Sequence, residues 1–468
     1  MTLDLFLDNI KKAASDFNNI DKKEHIRVIS NYDSDGLTSA ALLTKALKNQ
    51  DRIFSIRIIK QLTNKILKEI SLEQYNIFIF ADLGSSSVDF FNENMKDKKI
   101  FILDHHQIKS SSLKNGFFIN PLLFDIDGSK EISAAGVSYL FTKSLDSKNE
   151  ENAHIAIIGA IGDSQENKGF IGVNNLILED AKKYNLEVRN GLRLFGAYSR
   201  PIHKVLQFST DPYIPGITGD EQAVISFLEE IGINFYSNGK YKKLHELTEI
   251  EFQKLTSALL MKLSNHENQE DIFGPVYLLK TESDDSLTKD LKEFSTLLNC
   301  AGRLNKPSIG IGLCLNDKYS KEKAQELIIE YRKEITNGLE WFYNNRNKEN
   351  IIEHENFILI NAQGFIRDSL IGTLTSMISR SGIFNEGLIL ISMAYNLDGN
   401  IKISTRISSY NINNINVKEI LESILNGINA EIGGHNEAAG AIISQADEDI
   451  FIKKVKEYFT KNIIENMR

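Results

Sequence analysis

Short apolar runs and stretches of helical periodicity alternate along the N-terminal part of the chain. Four of the apolar runs are typical of buried strands: His25–Ser30, Tyr75–Ala81, Lys99–Leu103 and His154–Gly162. Helical patterns lie between them, for example at Thr38–Lys48 and Ser133–Leu145. This alternation predicts an α/β fold with a mostly parallel sheet and helices on both faces.

The middle of the chain changes to wholly helical patterns. We interpret Asp220–Asn265 as a helical insert, whose default role is a structural cap or a docking surface. A long amphipathic pattern at Ser320–Asn345 predicts a connecting helix, and such an apolar stripe most often packs against a domain. Arg303, between these regions, is predicted to precede a strand.

Strand and helix patterns return after the connecting helix, in the order FILINA, SLIGTLTSMIS, GLILISMAY, NIKISTRIS, VKEILESILNG, AIIS and a final helix. A glycine-rich stretch, GGHNEAAG, predicts a turn before AIIS. The chain is therefore divided into an α/β domain over 1–215, a helical insert with its connecting region over 216–350, and a second α/β domain over 351–468.

Hard metal ligands follow each of the four N-terminal runs. They are Asp33 with Asp35, then Asp82, then Asp104-His105-His106, and finally Asp163. Because the carboxyl ends of parallel strands form one ligand-binding crevice, we expect these side chains to meet. Carboxylate and imidazole ligands suit Mn²⁺ or Mg²⁺, and two such cations can activate water and neutralise a phosphoryl group. The pattern predicts a two-metal site for phosphoester hydrolysis.

Each of these clusters has an ordinary explanation when it is taken alone. The DSDG stretch fits a solvated turn with an Asx cap, and Asp82 before GSSS fits a helix N-cap. Asp33 and Asp35 would point to the same side of an extended segment, and the helix after Gly36 would offer its N-terminus to phosphate. Four clusters at four strand ends favour the metal site over four solvated loops.

The second α/β domain carries candidate phosphate ligands. Ser404 and Arg406 alternate on one predicted strand, and arginine suits bidentate contact with phosphate. Gly433-Gly434-His435 would expose backbone N–H groups as an anion nest. The alternative for Ser404 and Arg406 is an exposed strand, and the alternative for the glycine-rich stretch is a simple helix-to-strand turn. Arg303 is either a phosphate ligand in the cleft or a surface charge.

Composition limits the partners. The chain has 468 residues and a formal charge of −9, with 42% hydrophobic residues, enough for a full core. The negative charge argues against indiscriminate binding of nucleic acid, so a polyanion would need a local basic patch. The candidates are Arg193, Arg200, Lys204, Arg303, Lys306, Lys402 and Arg406.

Cysteine content and hydropathy indicate the compartment. Cys300 and Cys314 are too few for a disulfide framework, and we expect two small buried hydrophobes in a reduced compartment. No apolar stretch reaches the roughly 20 residues of a membrane span, and the N-terminus does not follow the pattern of a signal peptide. We expect a cytoplasmic protein without a membrane partner.

The ordered motifs DSDG, ADLG, LDHHQ, GAIGDSQ, DPYIPGITG, EFSTLLNCAGR, KISTRIS and GGHNEAAGA make the chain resemble the DHH phosphoesterase superfamily. Within it, the chain resembles the archaeal RecJ-like single-strand exonucleases, a group with the GINS-associated nuclease and relatives of Cdc45. The resemblance implies an N-terminal DHH domain and a C-terminal DHHA1 domain, a role in DNA replication or repair, and GINS and the replicative helicase as candidate partners.

The resemblance also implies residue roles. Two Mn²⁺ ions, or Mg²⁺, would be bound by Asp33, Asp35, Asp82, His105 and Asp163. The catalytic residues would be Asp33, Asp35, Asp104 and His106, with His106 contacting the scissile phosphate. The nucleic-acid backbone would be held by Arg303, Ser404, Arg406, Gly433, Gly434 and His435.

One position departs from the family pattern. Asn31 stands where this family usually has Asp or His, and a neutral amide is a poorer metal ligand. Enough ligands remain for two ions, but one ion would be held more weakly. This departure keeps a catalytically impaired, Cdc45-like role open.

Three functional hypotheses follow. The leading one is a Mn²⁺-dependent exonuclease that admits one strand of DNA or RNA into a cleft between the α/β domains. Tyr32 or Phe365 would stack on bases, although core packing is the commoner role for a residue such as Phe365. The second is a replisome scaffold that binds GINS through 220–265 with little or no hydrolysis. The third is a phosphoesterase of short oligonucleotides or a cyclic dinucleotide, which the long insert argues against.

Overall fold

The computed structural model describes residues 2–167, 169–209, 214–237, 239–263, 272–346, 348–381, 383–408, 415–434, 436 and 438–466. The chain divides into two compact units, Met1–Leu327 and Ile328–Arg468. Within the described residues, no helix combines the length and the apolar character that crossing a membrane requires.

The first unit contains most of the helices. They are α1 (Thr2–Asn18), α2 (Ser34–Asn49), α3 (Asn64–Ser71), α4 (Val88–Asn94), α5 (Ala134–Leu145), α6 (Ala153–Gly162), α7 (Gly172–Tyr184), α8 (Ile202–Gln207), α9 (Glu221–Glu230), α10 (Glu249–Lys262), α11 (Leu291–Arg303) and α12 (Pro307–Cys314). Its strands are β1 (Ile26–Asn31), β2 (Phe54–Ile59), β3 (Ile77–Ala81), β4 (Lys99–Leu103), β5 (Gly116–Ile119), β6 (Leu186–Leu192), β7 (Tyr236–Ser237), β8 (Lys240–Tyr241) and β9 (Phe273–Leu279). The long connecting helix α13 (Lys318–Asn345) leads into the second unit.

A five-stranded parallel sheet forms the centre of the first unit, in the order β2-β1-β3-β4-β5. Every residue of β3 is buried, as expected for a parallel sheet that is covered on both faces. The carboxyl ends of β1, β3 and β4 therefore lie side by side at one edge. The predicted α/β class with a mostly parallel N-terminal sheet is confirmed.

The prediction of a strand at His154–Gly162 is wrong, because these residues form most of the buried helix α6. A short helix that is apolar on every side shows no 3.6-residue periodicity, so its sequence cannot be distinguished from that of a buried strand. Small residues let this helix pack closely, since a Cβ atom at Gly159 would lie 2.6 Å from Oδ1 of Asp35. Asp163 thus follows a helix rather than a strand.

An antiparallel ribbon of β6 and β9 flanks the segment 193–272. The sequence patterns gave no strand at Leu186–Leu192, and the wholly helical expectation for 220–265 is wrong where β7 and β8 pair. This segment has its own core, which includes the fully buried Leu206, Val224, Leu228, Leu255 and Leu259. The strand predicted after Arg303 is also wrong: Pro307 begins helix α12 there.

The second unit is built on a six-stranded mixed sheet with the order β10-β11-β12-β13-β15-β14. Its strands are β10 (Ile351–Glu353), β11 (Phe357–Asn361), β12 (Ile389–Tyr395), β13 (Asn400–Ile407), β14 (Ala430–Gly434) and β15 (Ala438–Ser444), and its helices are α14 (Asp368–Ser379), α15 (Val417–Leu425) and α16 (Glu448–Asn466). Only β11 and β12 pair in parallel within this sheet, and α14 connects them.

Candidate metal centre

The first two acidic residues lie at the start of α2, not on an extended segment as the sequence suggested. Asp33 is the N-cap, and its carboxylate accepts a hydrogen bond from the Gly36 N–H at 3.0 Å. Asp35 lies in the first turn, 3% exposed, and accepts the backbone N–H groups of Ala134 at 2.8 Å and Ala135 at 3.0 Å. These two donors begin α5, so the positive end of that helix fixes the Asp35 carboxylate. Burial raises the pKa of Asp35 above its ordinary value.

Asp82 directly follows β3 and has a left-handed backbone with φ of 59°. Such strain in a residue other than glycine is concentrated at functional sites. The side chain is 1% exposed, and within the described residues neither carboxylate oxygen accepts a hydrogen bond. Burial raises the pKa of Asp82 well above its ordinary value, and the charges of Asp33 and Asp35 raise it further. A buried carboxylate without donors fits a metal ligand.

His105 is oriented by a backbone carbonyl. Its Nδ1 lies 2.6 Å from the Gly128 oxygen, so Nδ1 carries a proton. Burial opposes a charged ring, but Asp82, Asp163 and Asp35 raise the pKa of His105 well above its ordinary value. Nε2 lies 3.5 Å from Oδ1 of Asp82 and 3.8 Å from Oδ2 of Asp35. Asp163 caps the end of α6 and brings Oδ2 to 3.8 Å from Nδ1 of His105. His105 therefore faces carboxylates from three separate segments.

The Asp104 carboxylate is occupied by hydrogen bonds, two of which bind the neighbouring histidines. Its oxygens accept the backbone N–H groups of Ser85 at 2.9 Å and His105 at 2.8 Å, and Nδ1 of His106 lies 2.8 Å from Oδ1. Although burial alone raises the pKa of Asp104, the charge of His106 and these hydrogen bonds lower it overall. Burial likewise opposes the charge of His106, but Asp104 raises the pKa of His106 to about 9.

These residues form two overlapping groups of potential metal ligands. One contains Asp82, Asp104, His105 and His106, the other contains Asp35, His105 and Asp163, and within each group the ligand atoms lie within 4.8 Å of one another. Asp33 borders both groups: burial raises the pKa of Asp82 and Asp163, and the charge of Asp33 raises both further. Carboxylate oxygens with one imidazole fit hard divalent cations. The donor set therefore fits divalent cations.

The sequence did not predict three residues that bind the candidate ligands or their neighbouring backbone through hydrogen bonds. Asn299 of α11 accepts the Ser34 N–H at 3.0 Å. Asn120, fully buried, donates to the Ser85 hydroxyl at 2.8 Å and to the His106 carbonyl at 2.9 Å. Gln165 donates to Asp163 at 2.8 Å. Gln165 lies in GAIGDSQ and Asn299 in EFSTLLNCAGR, but neither motif shows which group the side chain binds, and Asn120 lies in no motif.

Arg303 is the last residue of α11, near the first acidic cluster. The preceding Gly302 lies directly against the Tyr32 carbonyl, and a Cβ atom there would collide with that oxygen. The backbone of α11 thus reaches the loop that carries Asp33.

The structure groups most of the predicted phosphate ligands of the second unit. Ser404 lies opposite Gly440, which in turn lies opposite Gly433, so these residues form one row across β13, β15 and β14. Arg406, two residues along β13, donates its Nε–H to the Ser376 hydroxyl of α14 at 2.9 Å. Gly434 ends β14, and His435 lies outside the described residues.

Two expectations about other side chains are wrong. Arg193 forms an ion pair with Glu166 at 3.2 Å, with both side chains 8% exposed, so it is not part of an open basic patch. Phe365 does not pack in a core: it is 69% exposed and stacks on Trp341 with a centroid distance of 5.8 Å. The exposed ring agrees with the alternative role of base stacking.

The Asp104–His106 pair predicts a pH dependence of stability in EDTA. The pKa of His106 rises from 6.5 to about 9 on folding, so its stabilisation is complete below pH 6.5 and is lost as the pH rises through 9. Urea unfolding between pH 6 and 9.5 should show this loss. His106→Gln should flatten the decline, and an unchanged slope in that variant would contradict the assignment.

A second prediction concerns Asn31, the last residue of β1. Its Nδ2 lies 3.5 Å from Oδ2 of Asp33, so Asn31→Asp would place a further carboxylate beside the site. We expect tighter Mn²⁺ binding in calorimetry, by roughly tenfold, and a lower Tm in EDTA because like charges then repel. Unchanged affinity would show that position 31 does not reach the ions.

Three domain families match the chain. The DHH family, N-terminal domain, matches residues 25–162, the DHH-CID domain matches 194–272, and the DHHA1 domain matches 370–461. The DHH match covers β1 to α6 and contains the first three acidic clusters; it ends one residue before Asp163. The second coincides with the segment between β6 and β9.

Two curated relatives are informative. An uncharacterised protein of Methanocaldococcus jannaschii is 29% identical over 442 residues, which cover 92% of this chain and 93% of that protein. A putative single-strand DNA-specific exonuclease of a Bacillus subtilis prophage is 26% identical over 173 residues, covering 35% of this chain and 30% of that protein.

Two solved structures share the fold. The exonuclease RecJ bound to manganese is 18% identical with a TM-score of 0.57, covering 96% of this chain and 94% of that one. Cdc45 from Entamoeba histolytica is 12% identical with a TM-score of 0.62, covering 98% of both chains. These likenesses show a RecJ-like architecture.

Proposed function

We infer that the chain, which belongs to the DHH superfamily and has a RecJ-like fold, is a Mn²⁺-dependent exonuclease that hydrolyses phosphodiester bonds of single-stranded nucleic acid. The observation that carries this proposal is the buried Asp82 carboxylate, which accepts no hydrogen bond within the described residues and lies 3.5 Å from Nε2 of His105. A buried carboxylate in this state is costly to the fold unless a cation binds it.

The proposed ligands of two Mn²⁺ ions, with Mg²⁺ as the alternative, are Asp33, Asp35, Asp82, His105 and Asp163. When bound, such a pair supplies an activated water and neutralises phosphoryl charge. The chain does the rest of the positioning: the α5 N-terminus fixes Asp35, and the Gly128 carbonyl fixes the His105 ring.

His106 is proposed to contact the scissile phosphate. Asp104 binds its Nδ1 and keeps the ring protonated, so Nε2–H is the donor that remains for a phosphate oxygen. Half of the His106 side chain is exposed, whereas Asp104 is buried, which suits a contact residue held by a buried partner. Asp104 therefore acts by orienting His106 and the adjacent backbone.

Substrate binding is assigned to the second unit and to Arg303. Gly433, Gly440 and Ser404 form a row of small residues in which Ser404 is buried, and a Cβ atom at Gly433 would meet no other atom within 4 Å. A phosphate could thus approach the backbone at Gly433, with Arg406 on the same face of β13 as Ser404. His435 is a further proposed ligand of the phosphate. The single-strand preference rests on the similarity to the prophage relative, a putative single-strand DNA-specific exonuclease. The domain division 1–215, 216–350 and 351–468 remains our proposal.

A second candidate function is a replisome scaffold that binds GINS and the helicase. The shared fold with Cdc45 and the neutral Asn31 favour it. Co-purification with GINS would not decide between the two functions, because a nuclease could bind GINS as well.

Hydrolysis decides. Single-stranded DNA and RNA, labelled at the 5′ or the 3′ end, are incubated with Mn²⁺, Mg²⁺ or EDTA, beside a duplex control and an Asp33→Ala/Asp35→Ala variant. We expect stepwise products from single strands with Mn²⁺ and none with EDTA or the variant. Equal product from wild type and variant would refute the metal site, and no product from either would favour the scaffold.

A further inference from the structure

The buried ion pair of Arg193 and Glu166 lies at the neck of the segment 193–272. Arg193 directly follows the last residue of β6, and its backbone N–H donates to the Ile272 carbonyl at 2.8 Å, where the chain enters β9. Its Nη2 lies 3.2 Å from Oε1 of Glu166. The ion pair therefore joins the base of this segment to the turn that follows α6.

That turn is part of the metal centre. Next to Glu166, Gln165 donates through Nε2 to Oδ2 of Asp163 at 2.8 Å and to the Gly128 carbonyl at 2.9 Å. The same carbonyl binds Nδ1 of His105 at 2.6 Å. One amide side chain thus holds two of the proposed metal ligands, one directly and one through a shared acceptor.

The carboxylate of Glu166 has one hydrogen-bond partner within the described residues, Arg193. Its second oxygen, Oε2, is buried and accepts no hydrogen bond within the described part of the chain, so Arg193 supplies the carboxylate's hydrogen bond. The turn between Asp163 and Glu166 also has a left-handed residue, Ser164, with φ of 58°. A strained turn needs such a contact to keep one conformation.

We propose that Arg193 is a positioning residue for the metal centre, acting through Glu166 and Gln165 on Asp163 and His105. This inference rests on the proposed function, since it concerns the affinity of that site for its ions. Buried ion pairs add little net stability compared with apolar pairs, and in some proteins they select one conformation. Loss of a residue that orients a metal ligand typically weakens metal affinity 10- to 100-fold.

The test is calorimetric titration of the metal-free, full-length protein with Mn²⁺. We expect Arg193→Met and Glu166→Gln each to bind Mn²⁺ roughly 10- to 100-fold more weakly than wild type. The double variant should bind no more weakly than the worse single variant, because both changes break the same contact. Glu166→Gln keeps the side-chain shape, so it decides the matter if Arg193→Met does not fold.

A matched control is Arg27→Met. Arg27 pairs with Glu73 at 2.6 Å, with side chains 15% and 18% exposed, and lies near the start of β1, at the edge of the sheet opposite the metal site. This variant should lower Tm and leave Mn²⁺ affinity within twofold of wild type.

The outcomes separate the two proposals. If wild type binds Mn²⁺ and both Arg193→Met and Glu166→Gln bind within twofold of it, the positioning role is refuted and the proposed function stands. An equal loss of affinity in Arg27→Met would also refute it, since any destabilisation would then suffice. If wild type binds no Mn²⁺, both the proposed function and this inference are refuted.

Discussion

Asp82→Asn should reduce kcat for single-stranded substrate by about 10³-fold or more while the protein remains folded. Burial and the charges of Asp33 and Asp35 raise the pKa of the Asp82 carboxylate despite the nearby His105, so its charge costs stability unless a cation is present. The variant should therefore have a higher Tm than wild type in EDTA. Added Mn²⁺ should raise the Tm of wild type and have little effect on that of the variant.

The prediction is specific because kcat should fall while Tm in EDTA should rise. A residue that served only the fold would lose activity and Tm together. Asp97→Asn, an exposed aspartate before β4, is the matched control and should change neither. An Asp82→Asn protein that retains a tenth of wild-type kcat, or that melts below wild type in EDTA, would contradict the assignment of Asp82 as a metal ligand.

Arg406→Gln should raise KM for single-stranded substrate about 10- to 100-fold and change kcat much less. Charge-assisted hydrogen bonds are worth roughly 1.5–3 kcal/mol, and 1.4 kcal/mol corresponds to a factor of ten. Arg406 shares its face of β13 with Ser404, which lies in the row with Gly440 and Gly433. Ser404→Ala should act in the same direction with a smaller effect, because a hydroxyl carries no charge.

Salt dependence provides a second measure of the same contact. Removal of one phosphate contact should reduce the slope of log affinity against log salt by about one. Arg346→Gln, which breaks an exposed ion pair with Glu353 in the same unit, should leave KM and the slope unchanged. A lower kcat with an unchanged KM in Arg406→Gln would place this arginine outside substrate binding.

The carboxyl ends of β1, β3 and β4 could be predicted from sequence because apolar runs in a parallel sheet end at a common edge. Asp82 and Asp104 follow such runs directly, so their proximity needed only the sheet topology. The fourth cluster was predicted for the wrong reason: Asp163 ends a buried helix, and nothing in its all-apolar sequence distinguishes that helix from a strand.

Contacts between distant segments could not be predicted. Arg193 carries an ordinary positive charge in the sequence, and only its buried partner Glu166 shows that it is not available to a polyanion. Asn120 and Asn299 bind backbone groups far from their own positions. The exposure of Phe365 was equally hidden, because its support, Trp341, belongs to the connecting helix.

The stoichiometry of Mn²⁺ binding tests the central claim, a two-metal site built from Asp33, Asp35, Asp82, His105 and Asp163, most directly. Metal-free wild-type protein is titrated with Mn²⁺ in a calorimeter, beside Asp82→Asn. We expect two ions per wild-type chain and at most one, bound more weakly, in the variant. Wild-type protein that binds no Mn²⁺, or a variant that binds two ions as tightly as wild type, would contradict the account.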